Sequence, residues 1–222
     1  MHDTAPRLLA VAHGTASVPG RTTIDQLLAA VAAARPSVHV ELCFLDVLDP
    51  RLPGALDDTT PTVVVPLLLS TGYHVQSDIP AAVALYPRTS VARHLGPHPL
   101  IVDALLERLG AVGADDSVVL VGAGSSRSQG TDELARTAEL LGEQLDRPVA
   151  IATMAADLTR VLGGPPAPVR VATYLLAEGR FVTTLRTAAR DVGATVSGPL
   201  GAHPAIVELV CTRYDEAVAS VR

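Results

Sequence analysis

The sequence predicts an α/β protein made of two similar units, each a mainly parallel sheet flanked by helices. Three observations lead there. The apolar runs are short, rich in Val and Leu, and bounded by turn residues. The segments between them carry helical spacing, the alternation expected of a parallel sheet with crossover helices. The pattern of the first half also returns in the second. Of the 222 residues 48% are hydrophobic and 18% charged, which supplies ample core and excludes a disordered or collagen-like chain.

In chain order, strands are expected over residues 8–12, 38–45, 62–69 and 89–94, and again over 117–122, 149–154, 169–176 and 194–198. Helices fall between them. Over 22–34, Ile24, Leu27, Leu28, Val31 and Ala32 share one face. Another spans 99–109 and opens with Pro99, whose fixed φ suits a first helical turn. The stretch Gly163-Gly164-Pro165-Pro166-Ala167-Pro168 reads as a loop feeding the next strand.

The repeat is carried by three blocks. Leu8-Leu9-Ala10-Val11-Ala12-His13-Gly14-Thr15 aligns with Val118-Val119-Leu120-Val121-Gly122-Ala123-Gly124-Ser125, an offset of 110. The nine residues from Leu67 to Val75 align with Tyr174 to Val182, and Leu95-Gly96-Pro97-His98-Pro99 with Leu200-Gly201-Ala202-His203-Pro204, offsets of 107 and 105. One repeat of such length is a duplicated unit and not a solenoid. Gly110, Gly113 and Asp115-Asp116 interrupt the apolar pattern, so the units are read as 1–112 and 113–222.

Composition excludes several chemistries. All 17 basic residues are Arg; the chain has no Lys, Asn or Trp. Schiff-base chemistry, pyridoxal phosphate anchoring and a Gly-Lys-Ser/Thr phosphate loop all need the missing amine. With 23 acidic residues the net charge is −6 and the Arg are scattered, so no nucleic-acid footprint is expected. Cys43 and Cys211 each sit in an apolar run, as reduced core thiols do. No secretory leader and no run of about 20 apolar residues is present, so a cytoplasmic protein without a membrane partner is expected.

Comparing the copies separates scaffold from chemistry. Gly14, Gly72 and Gly96 recur as Gly124, Gly179 and Gly201, and His98 recurs as His203, each before a proline or at a helix entry, where a structural role suffices. Three polar positions do not recur: His13 aligns with Ala123, His74 with Phe181, and Asp46 with Ala155. All three follow predicted strands, the edge at which open α/β sheets place ligand crevices. Two imidazoles and a carboxylate form a common ligand set for a divalent first-row metal, with coordination positions left open.

Ala12-His13-Gly14-Thr15, Phe44-Leu45-Asp46, Pro66 to Val75 and Gly96-Pro97-His98-Pro99 together resemble the sirohydrochlorin chelatases, class II chelatases of siroheme and cobalamin synthesis. The resemblance covers nearly the whole chain, as in the family's long two-copy members. It implies two chelatase-like domains of flavodoxin or Rossmann type, of which only the first keeps the metal site. It further implies a lyase that inserts Fe²⁺ or Co²⁺ into a tetrapyrrole with no organic cofactor or nucleotide. The duplication itself leaves monomer and homodimer both open, since one fused chain can do what a dimer of single copies does. Histidines matching His13 and His74 contact the incoming metal in that family. The position of Asp46 is usually Glu there, so the carboxylate reach is one methylene shorter.

The ligand types suit the chemistry. Neutral imidazole ligates iron, cobalt and nickel alike, so Ni²⁺ is not excluded, and its reference pKa of about 6.5 lets it take a pyrrole proton near neutrality. On this reading His13 and His74 deliver metal and accept protons, while Asp46 orients an imidazole or ligates. A tetrapyrrole bearing many carboxylates needs local cations, and with Lys absent the candidates are Arg21, Arg51 and Arg127. Two other readings compete. A metallochaperone would use the same three ligands without catalysis, and a histidine phosphatase opens with Arg-His-Gly where this chain has Ala12.

Overall fold

The computed structural model describes residues 5–164 and 168–221, so Pro165 to Ala167, expected as part of a loop, lie outside the described residues. The first half runs β1 (Arg7–Ala12), α1 (Val18–Ala34), β2 (Val40–Phe44), α2 (Leu52–Ala55), β3 (Thr62–Pro66), a π-helical turn (His74–Asp78), α3 (Ile79–Val83), β4 (Thr89–Val91) and α4 (Pro99–Leu109). The second half runs β5 (Ser117–Gly122), α5 (Ser128–Leu145), β6 (Val149–Thr153), α6 (Leu158–Leu162), β7 (Val169–Tyr174), α7 (Arg180–Asp191), β8 (Thr195–Val196) and α8 (Pro204–Val221). Each half holds one four-stranded sheet, ordered β2-β1-β3-β4 and β6-β5-β7-β8, with every pairing parallel. Leu8 faces Val40 and Val63; its counterpart Val118 faces Val149 and Arg170.

Two expected strands end early for a common reason. β3 ends at Pro66, with the Leu67 N–H still donating to the Val11 carbonyl at 2.9 Å, and β7 ends at Tyr174. The apolar runs continue through Leu67–Leu69 and Leu175–Leu176 because those residues line a cleft. Helix α1 begins four residues before the expected start. Ser17 caps it by accepting the Gly20 N–H, and Pro19 occupies its first turn, whereas the apolar face starts only at Ile24. His98 and His203 do cap helices: each Nδ1 accepts a backbone N–H, from Leu100 and Ala205, at 3.2 Å.

Alternation along the strands divides the core. Leu9, Val11 and Val64 face outward onto α2 and α3, with the buried thiol of Cys43, whose pKa burial pushes up to about 12. Val119, Val121 and Val171 do the same toward α6 and α7. The inward residues of both sheets, Leu8, Ala10, Leu120 and Ala172 among them, belong to one continuous core shared by the halves.

That shared core has exchanged covers. Helix α4 packs on β7 and α5 of the second half, while α8 packs on α1, β3 and β4 of the first. Buried Arg213 of α8 donates to the carbonyls of His94 and Leu95, and Tyr214 donates to that of Pro6. In the opposite direction, Arg108 of α4 donates to the carbonyl of Leu200. Two glycines show the same reciprocity. A Cβ on Gly20 would stand 2.4 Å from the Glu178 carbonyl oxygen, and one on Gly130 would stand 2.2 Å from that of Thr71. Each helix that follows a first strand thus rests on the backbone after the other half's third strand.

Candidate functional site

The carboxyl ends of β1, β3, β5 and β7 face a common cleft of about 1070 Å³ between the halves, at the upper end of the roughly 300–1,000 Å³ usual for small-molecule sites. Its walls are largely apolar, with Leu42, Phe44 and Leu67–Leu69 from one half and Leu134, Ile151 and Leu175–Ala177 from the other.

His13 and His74 both line it, with ring centroids 5.0 Å apart and ring planes at 80°. His13 leaves β1 on a turn where a Cβ on Gly14 would collide with the Asp46 carbonyl oxygen at 2.0 Å, and where φ of Gly14 is +98°. Glycine there lets the loop after β2 close on the loop after β1. His74 opens the π-helical turn, an irregularity that recurs at functional sites. Its Nδ1 is 2.6 Å from Asp78 Oδ2, while His13 Nδ1 is 3.3 Å from the Gly14 carbonyl oxygen. Both contacts occupy Nδ1 and leave Nε2 of each ring without a hydrogen-bond partner among the described residues.

Asp46, expected to join the histidines, stands apart. Its side chain is exposed outside the cleft lining and pairs with Arg51 Nη2 at 3.3 Å. Among the described residues no group of three or more His, Cys, Asp or Glu side chains is arranged around a metal position. The strand order explains this: β1 lies between β2 and β3, so the loops bearing Asp46 and His74 emerge on opposite sides of His13. The carboxylate that meets one of these two imidazoles is Asp78, which the sequence does not single out. An i, i+4 pair meets only where the helical segment includes both residues, and the expectation of a helix between the strands at 62–69 and 89–94 carries no bounds that would pair His74 with Asp78.

The three arginines also part. Arg21, on α1, lines the cleft and has no side-chain ion pair among the described residues. Arg51 is taken up by Asp46, and the Arg127 guanidinium lies 5.8 Å from the Tyr73 ring centroid, outside the cleft lining. A cation not singled out in the sequence, Arg180 at the start of α7, faces the cleft from the second half beside Phe181. Phe181 is 48% exposed, a large apolar surface left open in the wall at the position matching His74. Reading the second copy for residues gained, and not only for ligands lost, would have found this pair. Glu178 contributes no free charge, since Arg186 holds it through two bonds of 2.8 and 2.9 Å.

The CbiX family model matches residues 7–112 and again 117–217. A sirohydrochlorin ferrochelatase of Priestia megaterium is 32% identical over 152 residues, 60% of this chain and 56% of that protein, so the match spans little more than half of that relative. A sirohydrochlorin cobaltochelatase of Methanococcoides burtonii is 26% identical over 120 residues, covering 46% of this chain and 92% of its own. SirB from Bacillus subtilis with Fe³⁺ superposes with a TM-score of 0.81 at 22% identity, over 97% of this chain and 96% of that one. CbiX described as the terminal enzyme of siroheme biosynthesis in denitrifying bacteria gives 0.71 at 19% identity, over 95% and 99%. These likenesses establish the same two-sheet fold. Among the described residues no helix is long and apolar enough to cross a membrane.

Proposed function

The chain belongs to the CbiX family, matched in both of its halves, and from that premise we propose that it inserts Fe²⁺ or Co²⁺ into sirohydrochlorin. The observation that carries this reading is the His13–His74 pair, 5.0 Å apart at one end of a cleft large enough for a tetrapyrrole. Residues 1–112 then hold the metal-delivering machinery and 113–222 the facing wall.

With Nδ1 of His74 bonded to Asp78, its Nε2 lone pair is available, the arrangement in which a carboxylate fixes the tautomer of a ligating imidazole. His13 Nε2 is the second donor. Two nitrogens bind a divalent ion, and the remaining coordination positions stay open to pyrrole nitrogens. A closed four-ligand site would retain the ion instead. For each M²⁺ that enters, two pyrrole N–H protons leave and coordinated water is shed. Each Nε2 becomes free to accept such a proton only as the ion passes from it to the pyrrole nitrogens, and it then gives that proton to water. Asp78 takes the orienting role, and Asp46, tied to Arg51, has none in this scheme.

Arg21 and Arg180 face the cleft from opposite halves and hold substrate carboxylates, and Phe181 lies against the apolar face of the macrocycle. Arg51 and Arg127 are not assigned to substrate. The test is anaerobic incubation of the protein with sirohydrochlorin and each metal in turn, followed by visible absorption and compared with spontaneous insertion. Rates no greater than the uncatalysed ones would overturn the proposal, and metal binding without insertion would favour a metallochaperone.

A further inference from the structure

Segment 70–76, which leads into His74, is fastened by side chains of the second half. Glu133 of α5 is only 12% exposed, and one of its oxygens accepts the Thr71 N–H at 2.5 Å. The other accepts the Thr71 hydroxyl at 2.7 Å and Gln129 Nε2 at 3.2 Å. That same oxygen lies 3.2 Å from Nε2 of His94, itself 13% exposed. Burial holds the His94 imidazole below its ordinary pKa, against the opposing pull of Glu133. Ser125 adds a hydroxyl donated to the Thr71 carbonyl at 2.8 Å, and Gln129 accepts from Gln76 at 3.3 Å.

A carboxylate buried in a protein interior is costly unless every oxygen is satisfied, and most partners of Glu133 belong to the first half. Thr71 is three residues before His74, and the close seat of Gly130 on its carbonyl leaves that backbone no room to shift toward α5.

We propose that Glu133, on the half without the metal-binding histidines, is a positioning residue for His74, acting through Thr71. The second copy then does more than form a wall. It sets where the imidazole stands relative to His13, a spacing of 5.0 Å between rings that metal binding requires to be held. The inference rests on the chelatase reading for its kinetic consequence but not for its structural one.

The experiment compares wild type with Glu133→Ala and Glu133→Gln. It uses Co²⁺ titration followed by the visible d–d spectrum, then anaerobic insertion of Co²⁺ into sirohydrochlorin. Glu133→Ala is expected to bind Co²⁺ at least tenfold more weakly, with an altered spectrum, and to lower kcat about tenfold while KM for the tetrapyrrole stays within twofold. Glu133→Gln keeps an acceptor for the Thr71 hydroxyl and should recover a substantial part of both. A folded Glu133→Ala with wild-type Co²⁺ spectrum and kcat overturns the proposal. If Glu133→Ala does not fold, Glu133→Asp, whose carboxylate is one methylene too short to reach Thr71, takes its place, and a wild-type Co²⁺ spectrum and kcat in it overturn the proposal. If wild type inserts no metal, the chelatase reading fails, and the Co²⁺ spectra still decide the positioning role.

Discussion

Nδ1 of His74 and Oδ2 of Asp78 are 2.6 Å apart, one turn from each other on the same short helical segment. The contact fixes which nitrogen of the ring is free. Replacing Asp78 with Ala removes the orienting acceptor but leaves the imidazole, so the loss should be partial. Outer partners of this kind are worth about 10–100-fold in metal affinity or activity. Asp78→Ala should lower kcat for insertion within that range, Asp78→Asn less, and His74→Ala or His13→Ala should abolish insertion with an unchanged far-ultraviolet circular dichroism spectrum. Anaerobic kinetics that find Asp78→Ala as active as wild type would remove the orienting role.

What the sequence disclosed follows from what is local or repeated. Short apolar runs located all eight strands, and the absence of His13 and His74 counterparts in the second copy marked both histidines. Asp78 was hidden because its partnership depends on a π-helical turn that the run Leu67–Val75 does not announce. Asp46 shows that a place at a strand's carboxyl end is not a place in the cleft, since its side chain turns outward to Arg51. The exchange of α4 and α8 was illegible for another reason. An amphipathic helix records that one face is buried, not which sheet buries it.

Arg180 and Phe181 stand where the first half has Tyr73 and His74, so the duplicated half presents a cation and an apolar ring where the first presents a phenol and an imidazole. If they bind tetrapyrrole and take no part in metal transfer, their removal acts on binding alone. Arg180→Ala and Phe181→Ala should each raise KM for sirohydrochlorin about 5–50-fold, the loss of roughly 1–2.3 kcal/mol of uniform binding, with kcat and Co²⁺ affinity within twofold. Steady-state kinetics showing a fall in kcat at unchanged KM would place them in the chemical step.

Asp57 accepts the Thr59 hydroxyl at 2.6 Å and the N–H groups of Thr59 and Thr60 at 2.8 Å, and it lies 3.3 Å from Arg7. The Thr59 hydroxyl and then the two backbone donors hold its carboxyl well below the usual carboxylate range. A folded-state pKa below the unfolded value of about 3.9 adds stability that is complete above that pH and lost as pH falls toward the folded value. Thermal midpoints measured between pH 5 and pH 2.5 should therefore fall, and Asp57→Asn should flatten the fall. Parallel curves for the two proteins would show that this loop does not contribute.

The exchanged helices bear on whether 1–112 folds without 113–222. The inner face of α4 carries Ile101, Val102, Leu105 and Leu109, all buried where the helix meets β7, α5 and α8 of the other half. Exposing side chains of this size costs roughly 1.5–3 kcal/mol each, which together is as large as the whole stability of a typical domain, about 5–15 kcal/mol. The first sheet meanwhile loses α8, with Arg213 and Tyr214 that tie it to His94, Leu95 and Pro6. Residues 1–112 expressed alone should show no cooperative urea transition as a monomer and should self-associate on gel filtration. Co-expression with 113–222 should restore a cooperative 1:1 complex, because the reciprocal covers are then both present. A monomeric fragment with a sharp transition would show that each half buries its own core.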